Sequence, residues 1–259
     1  MKFVITTTQS ISNISKPMEE FIDASRLEYV PRQRSSLTKI ADEHNAEGII
    51  VWETGGPVLY IGNEKFFFHP SMAKCRIAAF RKQARQDLMI KACQLNRGDS
   101  FLDCTLGMGA DTIVASYFSE AGKITGLESQ SIVAHLISWG MKLYNGNMPW
   151  LNQAINHIEV VNSDNKLFLQ QQVDQSYDIV YFDPMFPRPL LNSQPISSLR
   201  KLANHTPLDM VTVQEACRVA KKRVVLKTLA SGGEIERLGF QKVMGSKHNP
   251  IVYGVINIK

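Results

Sequence analysis

The stretch SFLDCTLGMGADT, Ser100–Thr112, decides the fold. Short apolar residues lead into Asp103, and a turn containing Gly107 and Gly109 follows. A helix is predicted to begin near Thr112. An acid at the end of a buried strand, then a glycine turn and a helix N-terminus, is how an open α/β sheet forms a small-molecule site at the carboxyl ends of its strands.

The two glycines restrict which ligand the turn can accept. Gly107 and Gly109 can adopt positive φ and carry no Cβ, so the backbone can fold sharply and approach a ligand closely. A dinucleotide-binding turn places a third glycine three residues after the second, and this chain has Thr112 there. A pyrophosphate ligand is therefore disfavoured. By itself, the pair of glycines is equally consistent with an ordinary structural turn.

An acid follows the next predicted strand, Lys123–Leu127. This acid is Glu128, which comes roughly 20 residues after the glycine turn, a separation typical of a carboxylate at the end of the neighbouring strand. Its two oxygens can accept hydrogen bonds from both hydroxyls of a ribose. The alternative is a carboxylate that only faces solvent. The combination with the glycine turn favours a ribose ligand.

A third predicted strand, His157–Val161, is followed by Asp164 and Asn165. A carboxylate and an amide at this position can hydrogen-bond an adenine amino group at the edge of the same site. Asp164 is equally suited to cap the helix that follows. The sequence leaves both roles open.

The fourth predicted strand, Tyr177–Phe182, leads into Asp183-Pro184-Met185-Phe186-Pro187. The amino groups of nucleobases are poor nucleophiles because their lone pair is delocalised into the ring. A reaction at such a group needs acceptors for its N–H bonds and close placement of the reactants. Asp183 can accept one N–H, a carbonyl fixed by Pro184 can accept another, and Phe186 offers a face for base stacking. The alternative is a simple strand-terminating turn.

These motifs together resemble those of class I S-adenosylmethionine-dependent methyltransferases. The DPMFP variant, with a basic segment before the glycine turn, resembles the RsmJ-type small-subunit ribosomal RNA guanine-N2 methyltransferases. The resemblance runs from about Phe68 to the C-terminus. It implies S-adenosyl-L-methionine as cofactor, guanine N2 in small-subunit ribosomal RNA as the methyl acceptor, and catalytic roles for Asp183, Pro184 and Phe186. The cofactor contacts it implies, beside Asp103, Gly107 and Gly109, are Ala110, Asp111, Glu128, Ser129, Asp164, Asn165 and Asp183.

Alternating strands and helices after residue 70 predict an α/β fold. We expect a doubly wound, mainly parallel, seven-stranded Rossmann-like sheet with an antiparallel C-terminal edge strand over residues 71–259. Residues 1–70 are predicted to form a small N-terminal α+β lobe, which is a candidate for RNA contact. A fifth strand, Arg223–Lys227, would end beside the site, so that Lys227 points towards it if the strand register holds.

Basic residues are concentrated in a helical pattern over Ser71–Leu95. The whole chain carries a net charge of +5 and has a pI near 9.0, which is consistent with an anionic partner. One face of the pattern is apolar and the other is strongly positive. This face indicates RNA binding, to ribosomal RNA or the small ribosomal subunit, although solvated surface charge is the alternative. The candidate RNA contacts are Arg76, Arg81, Lys82 and Arg85, with Arg188, Arg200 and Lys201 in a polar loop before Pro207.

Several classes of protein are disfavoured. No run of about 18 apolar residues occurs and the N-terminus lacks a signal-peptide layout, so we expect a cytoplasmic protein with no membrane partner. The four cysteines and six histidines show no metal-ligand spacing, so no metal is expected. The sequence leaves the oligomeric state open. It also leaves open DNA adenine, a protein or a small molecule as the acceptor, or a non-catalytic RNA-binding module with a vestigial pocket.

Overall fold

The fold contains two β-sheets, described by a computed structural model over residues 1–11, 13–185, 202–246 and 249–259. The smaller sheet has five strands and the larger has seven. The strands of the smaller sheet all precede residue 67 and those of the larger sheet all follow residue 100. The change from the smaller sheet to the larger one therefore falls between residues 66 and 101.

The smaller sheet has the strand order β2-β1-β3-β4-β5. Strands β1, β2 and β3 are parallel, and β4 and β5 add as antiparallel strands. Ser36 begins the second helix, because its side chain accepts a hydrogen bond from the Lys39 amide at 3.0 Å. The bounds are β1 Phe3–Thr7, α1 Lys16–Ser25, β2 Glu28–Tyr29, α2 Leu37–His44, β3 Gly48–Glu53, β4 Gly56–Ile61 and β5 Glu64–Phe66.

The larger sheet confirms the predicted α/β fold. Its order is β11-β12-β10-β9-β6-β7-β8, and the five strands from β10 to β8 are parallel. The C-terminal strand β12 is antiparallel to both neighbours, and β11 pairs outside it at the sheet edge. The bounds are β6 Phe101–Asp103, β7 Ile124–Glu128, β8 Ile158–Asn162, β9 Tyr177–Phe182, β10 Ala220–Leu229, β11 Lys242–Ser246 and β12 Asn249–Asn257.

The helical pattern predicted over Ser71–Leu95 forms two helices instead of one. The first ends at Gln83 and is followed by Ala84, its C-cap, which adopts a left-handed conformation with φ 51°. Asp87 caps the second by accepting from the Met89 and Ile90 amides. The helices of this part are α3 Ser71–Gln83, α4 Leu88–Cys93, α5 Ala110–Ser119, α6 Ser131–Leu143, α7 Pro149–Asn156, α8 Asn165–Gln171, α9 Met210–Val219 and α10 Glu234–Arg237.

One hydrophobic core extends from the smaller sheet to the larger one. At the junction, the rings of Phe21, Trp52 and Trp139 lie with centroids 5.4 to 6.2 Å apart in tilted and edge-on contacts. Each such aromatic pair contributes about 0.5–1.5 kcal/mol beyond its buried area. Helix α6 carries Trp139 and therefore joins the two sheets. Over the described ranges, no helix is both long and apolar enough to cross a membrane.

Candidate active site

Four neighbouring strands bring their carboxyl ends to one edge of the larger sheet. Strands β9, β6, β7 and β8 are parallel and adjacent in that order, so the residues at their ends lie next to one another. An open cleft lies at this edge. Of the expected site residues, the following line it: Gly107, Glu128, Ser129, Asp164, Asn165, Asp183 and Pro184.

The glycine turn adopts the backbone conformation that its sequence predicts. Gly107 and Gly109 have φ values of 50° and 74°, in the left-handed region that favours glycine. Gly109 is the N-cap of α5, and a Cβ there would also overlap the Met141 side chain. The Leu106 amide donates to the Leu127 carbonyl at 2.8 Å, which fixes the turn against β7.

Asp103 lies beneath the turn and not in the cleft. Its side chain is 1% exposed and accepts hydrogen bonds from the Thr105 amide at 2.9 Å and the Thr112 hydroxyl at 2.6 Å. Burial raises the pKa of Asp103 to about 7, although these hydrogen bonds oppose the rise. Asp103 thus holds the start of α5 against β6, and its expected contact with the cofactor stays a prediction. Gly109 and Ala110 do not line the cleft either.

Glu128 presents its carboxyl group at the end of β7. One oxygen, Oε1, accepts from the Gln130 amide at 2.8 Å. Burial raises the pKa of Glu128, while hydrogen bonds from backbone amides, including that of Gly107, oppose the rise. The carboxyl group is thus fixed next to the glycine turn and can accept hydrogen bonds from a ligand in the cleft.

Asp164 both caps a helix and lines the cleft. Its Oδ1 accepts from the Lys166 and Leu167 amides at 3.0 and 3.2 Å, which begins α8. The neighbouring Asn165 donates to the Cys104 carbonyl at 3.3 Å and so connects α8 to the residue after β6. The capping role left open by the sequence is therefore present, and it fixes the Asp164 carboxylate at the cleft edge.

Asp183 follows β9 directly and is held from two sides. Its backbone amide donates to the Thr105 hydroxyl at 2.6 Å, and its Oδ2 accepts from Lys227 at 2.7 Å. Burial raises the pKa of Asp183 to about 6, although Lys227 opposes the rise. Pro184 and Met185 continue along the cleft. Phe186 lies outside the described residues.

A network of charged side chains lies behind Asp183. Asp111 accepts from Lys227 at 2.9 Å, from the Tyr181 hydroxyl at 2.8 Å and from Arg76. Although burial opposes them, Lys227 and Arg76 hold the pKa of Asp111 well below its usual range. Asp111 does not line the cleft and belongs to this network, and its expected contact with the cofactor stays a prediction. The sequence placed Lys227 near the site but did not predict that it bridges two carboxylates.

Known proteins match this chain over most of its length. The SAM_MT family model, which describes SAM-dependent methyltransferases, matches residues 67–250. The chain belongs to this family. Its cofactor is therefore S-adenosylmethionine, and the cleft at the strand ends is the candidate active site of a methyltransferase.

Individual relatives differ in how much of the chain they share. YpiP of Bacillus subtilis, named as an uncharacterized protein, is 33% identical over 254 residues, 98% of each chain. Ribosomal RNA small subunit methyltransferase J of Acinetobacter baylyi is 30% identical over 110 residues, which are 42% of this methyltransferase and 40% of that protein. This methyltransferase thus matches less than half of that relative's length.

A solved structure confirms the fold independently. The crystal structure of a SAM-dependent methyltransferase from Neisseria gonorrhoeae superposes with a TM-score of 0.66. The two chains are 20% identical, and the match covers 99% of this methyltransferase and 96% of the other chain. The likeness therefore includes the smaller sheet as well as the larger one.

The chemistry of the cleft fits S-adenosylmethionine. Carboxyl groups that can accept hydrogen bonds stand at the end of β7 and just after β8. The hydroxyls of a ribose and the amino group of an adenine are donors that suit such acceptors. The cleft lining also includes Leu127 and Phe182, the apolar residues that directly precede Glu128 and Asp183. Gly107 has no Cβ, so a ligand in the cleft can approach its backbone closely.

The expected RNA contacts of the methyltransferase divide into three groups. The predicted RNA contact of Arg76 is corrected, because its guanidinium donates to Asp87 at 2.7 and 2.9 Å and also to Asp111. The guanidinium therefore does not face solvent as a free phosphate ligand. Arg81, Lys82 and Arg85 are exposed, as expected. Arg188, Arg200 and Lys201 lie outside the described residues.

Among the residues whose positions are described, no group of three or more His, Cys, Asp or Glu side chains is placed to hold a metal ion.

Proposed function

We propose that this methyltransferase transfers a methyl group from S-adenosylmethionine to an exocyclic amine of a nucleobase, namely guanine N2 in small-subunit ribosomal RNA. The observation that carries the proposal is the position of Asp183-Pro184 in the same cleft as Glu128 and the glycine turn. The match to a ribosomal RNA small subunit methyltransferase J supports RNA as the substrate class.

Residues on one side of the cleft would hold the cofactor. Glu128 would accept the ribose hydroxyls, and Asp164 with Asn165 would contact the adenine, next to the backbone of Gly107 and Ser129. When bound, S-adenosylmethionine supplies an electrophilic methyl group on a sulfonium. The protein then has to position the acceptor and exclude competing nucleophiles.

Asp183 would orient the acceptor amine. Lys227 holds one carboxylate oxygen, Oδ2, and the group lines the cleft, so the carboxylate can accept an N–H bond from an amine placed there. The lone pair of that amine is delocalised, and an N–H bond to a carboxylate makes it available to the methyl group. The product loses one proton, which an ionised Asp183 can accept. The carbonyl of Pro184 is the proposed second acceptor.

RNA is the proposed partner of the exposed basic surface. Arg81, Lys82 and Arg85 would contact phosphates, and the resulting release of counterions would make binding dependent on salt. We include the smaller sheet of residues 1–70 as a further candidate for RNA contact. A cytoplasmic location fits an RNA substrate of this kind and is part of the same proposal.

The test is transfer of labelled methyl groups from S-adenosylmethionine to unmodified small-subunit ribosomal RNA, both naked and assembled with ribosomal proteins. The expected product after nucleoside digestion is N2-methylguanosine. Asp183→Ala should abolish transfer while the circular dichroism spectrum is retained. Asp174→Ala is the matched control, because Asp174 is 76% exposed and pairs with Arg218 away from the cleft.

Other products would identify other acceptors. Methyladenine in DNA, a methylated protein or a methylated small molecule would each contradict the proposed substrate while leaving the cofactor site intact. Turnover that is indifferent to salt would count against a nucleic acid, because phosphate contacts weaken steeply as salt rises. Calorimetry that shows no affinity for S-adenosylmethionine would indicate a vestigial pocket.

A further inference from the structure

Lys227 connects the cleft to the buried charge network. Its ammonium nitrogen lies 2.7 Å from Asp183 Oδ2 and 2.9 Å from Asp111 Oδ2, and its side chain is 18% exposed. An ammonium has three donors and no acceptor, so two carboxylates can share it without competing for one hydrogen atom. A change at Lys227 therefore acts on Asp183 directly.

The position of Lys227 is fixed by the sheet. Strand β10 pairs in parallel with β9, with Leu226 opposite Phe182, and pairs with β12 on its other side, with Lys227 opposite Tyr253. This register places Lys227, two residues before the end of β10, beside Asp183, the residue that directly follows β9. The backbone of Lys227 is therefore fixed by strand pairing on both sides.

The second carboxylate of the pair is itself anchored. Asp111 accepts from the Tyr181 hydroxyl and from Arg76. Arg76 in turn makes two hydrogen bonds with Asp87, the cap of α4. The chain of contacts runs from α4 through α3 and α5 to β10, so Lys227 has little freedom to leave Asp183.

We propose that Lys227 is a positioning residue, which keeps the Asp183 carboxylate ionised and correctly oriented for the acceptor amine. This role rests on the proposed function, because it assigns Asp183 to the amine. Lys227 itself need not touch the substrate.

The charges around Asp183 determine the effect of removing Lys227. Burial and the neighbouring Asp111 favour the protonated form of Asp183, whereas Lys227 favours the ionised form. The titratable groups that face this pair are Asp111 of α5, Asp103 of β6, Tyr181 of β9, Tyr253 of β12 and, beyond Asp111, Arg76 of α3. Without Lys227, the groups left nearest to Asp183 are acids and phenols, so its pKa must rise.

The expected effect on the reaction follows from this rise. A protonated carboxyl group is a poor acceptor for an N–H bond and cannot take up the product proton. If the pKa of Asp183 rises by about 2 units from its value near 6, the ionised fraction at pH 7 falls about tenfold. The rate should fall by a similar factor at pH 7 and recover at pH 9.

Three variants test the proposal. Lys227→Met removes the charge and keeps an unbranched side chain, and Lys227→Arg restores a cation. Lys222→Met is the matched control, because Lys222 is on the same strand and also bridges two carboxylates, Asp99 at 2.6 Å and Asp178 at 3.2 Å, away from the cleft. If Lys227→Met does not fold, Lys227→Gln is used in its place, because glutamine keeps a hydrogen-bond donor without a charge.

Two measurements are made on each full-length variant. The pKa of Asp183 is followed by carbon NMR of protein labelled at aspartate, with the signal assigned from Asp183→Asn. The pH dependence of kcat is followed with small-subunit ribosomal RNA. Lys227→Met should raise the NMR pKa and move the acidic limb of kcat upward together, Lys227→Arg should reverse most of both changes, and Lys222→Met should cause neither.

The contrary outcomes are separable. An unchanged NMR pKa in folded Lys227→Met overturns the proposal, and so does a raised pKa with an unmoved kcat profile. Absence of RNA methylation by the wild-type protein would contradict the proposed substrate instead. In that case the NMR pKa still decides whether Lys227 controls Asp183.

Discussion

Replacing Asp111 by asparagine should destabilise the fold strongly. The Asp111 side chain is 8% exposed and receives donors from Arg76, Lys227 and Tyr181. Asparagine has one acceptor oxygen where the carboxylate has two, and its amino group would face a cation. Removing one partner of a buried ion pair costs about 3–5 kcal/mol. Both cations keep a second carboxylate, so we expect the low end, about 3 kcal/mol.

The assay is urea unfolding of the ligand-free protein at pH 7, with the slope compared between variants so that a change in midpoint reports stability. Asp174→Asn is the control, because its ion pair with Arg218 is at the surface and should contribute less than about 1 kcal/mol. A decrease in the free energy of unfolding of less than about 1 kcal/mol for Asp111→Asn would refute the reasoning. The buried network would then not stabilise the fold through Asp111.

Three further predictions concern the buried Asp103, the cleft residue Glu128 and the exposed basic surface. The pKa of Asp103 is about 7 in the folded protein against an ordinary 3.8, so ionisation of this group opposes folding as the pH rises. In urea unfolding, the free energy of unfolding of the wild type should therefore fall by up to about 4 kcal/mol between pH 4 and pH 8, relative to that of Asp103→Asn. Glu128→Ala should weaken S-adenosylmethionine binding about tenfold or more in calorimetry, since charged hydrogen bonds contribute about 1.5–3 kcal/mol. Charge reversal at Arg81 and Lys82 should weaken RNA binding and reduce its salt dependence.

Each of these predictions has a control and a contrary result. A difference between wild type and Asp103→Asn that is constant with pH would contradict the raised pKa. Glu159 is an exposed acid on the neighbouring strand, so Glu159→Ala should leave cofactor affinity unchanged. Equal effects at both positions would contradict a specific role of Glu128. Lys221→Glu is the control for RNA, and equal weakening there would indicate a general charge effect.

The arrangement of the strand ends could be predicted because it follows from local order. Each acid comes at the end of a strand that carries apolar residues or within two residues after it, and parallel neighbours must end at the same edge. Whether each acid faces the cleft or turns into the protein could not be predicted in the same way. Asp103 turns beneath the glycine turn because Thr112, nine residues later, offers a hydroxyl from the first turn of α5. Asp164 caps α8 and also lines the cleft.

Long-range pairs explain most of the differences from the sequence-based interpretation. Arg76 has the pattern of a surface cation, but its partners Asp87 and Asp111 lie 11 and 35 residues away and draw it inward. Lys227 meets Asp111 across 116 residues. These contacts depend on the completed fold. The break between α3 and α4 is local instead, because Ala84 adopts positive φ and Asp87 restarts the helix within a pattern whose helical periodicity continues.

The aromatic junction between the two sheets supplies an intrinsic optical probe. Two of the three tryptophans, Trp52 and Trp139, face each other across it and are 6% and 8% exposed. Separation of the smaller sheet from α6 would hydrate both indoles and shift their emission to longer wavelength. With Trp150 replaced by phenylalanine, the fluorescence of the unlabelled protein would report this separation during RNA or cofactor binding.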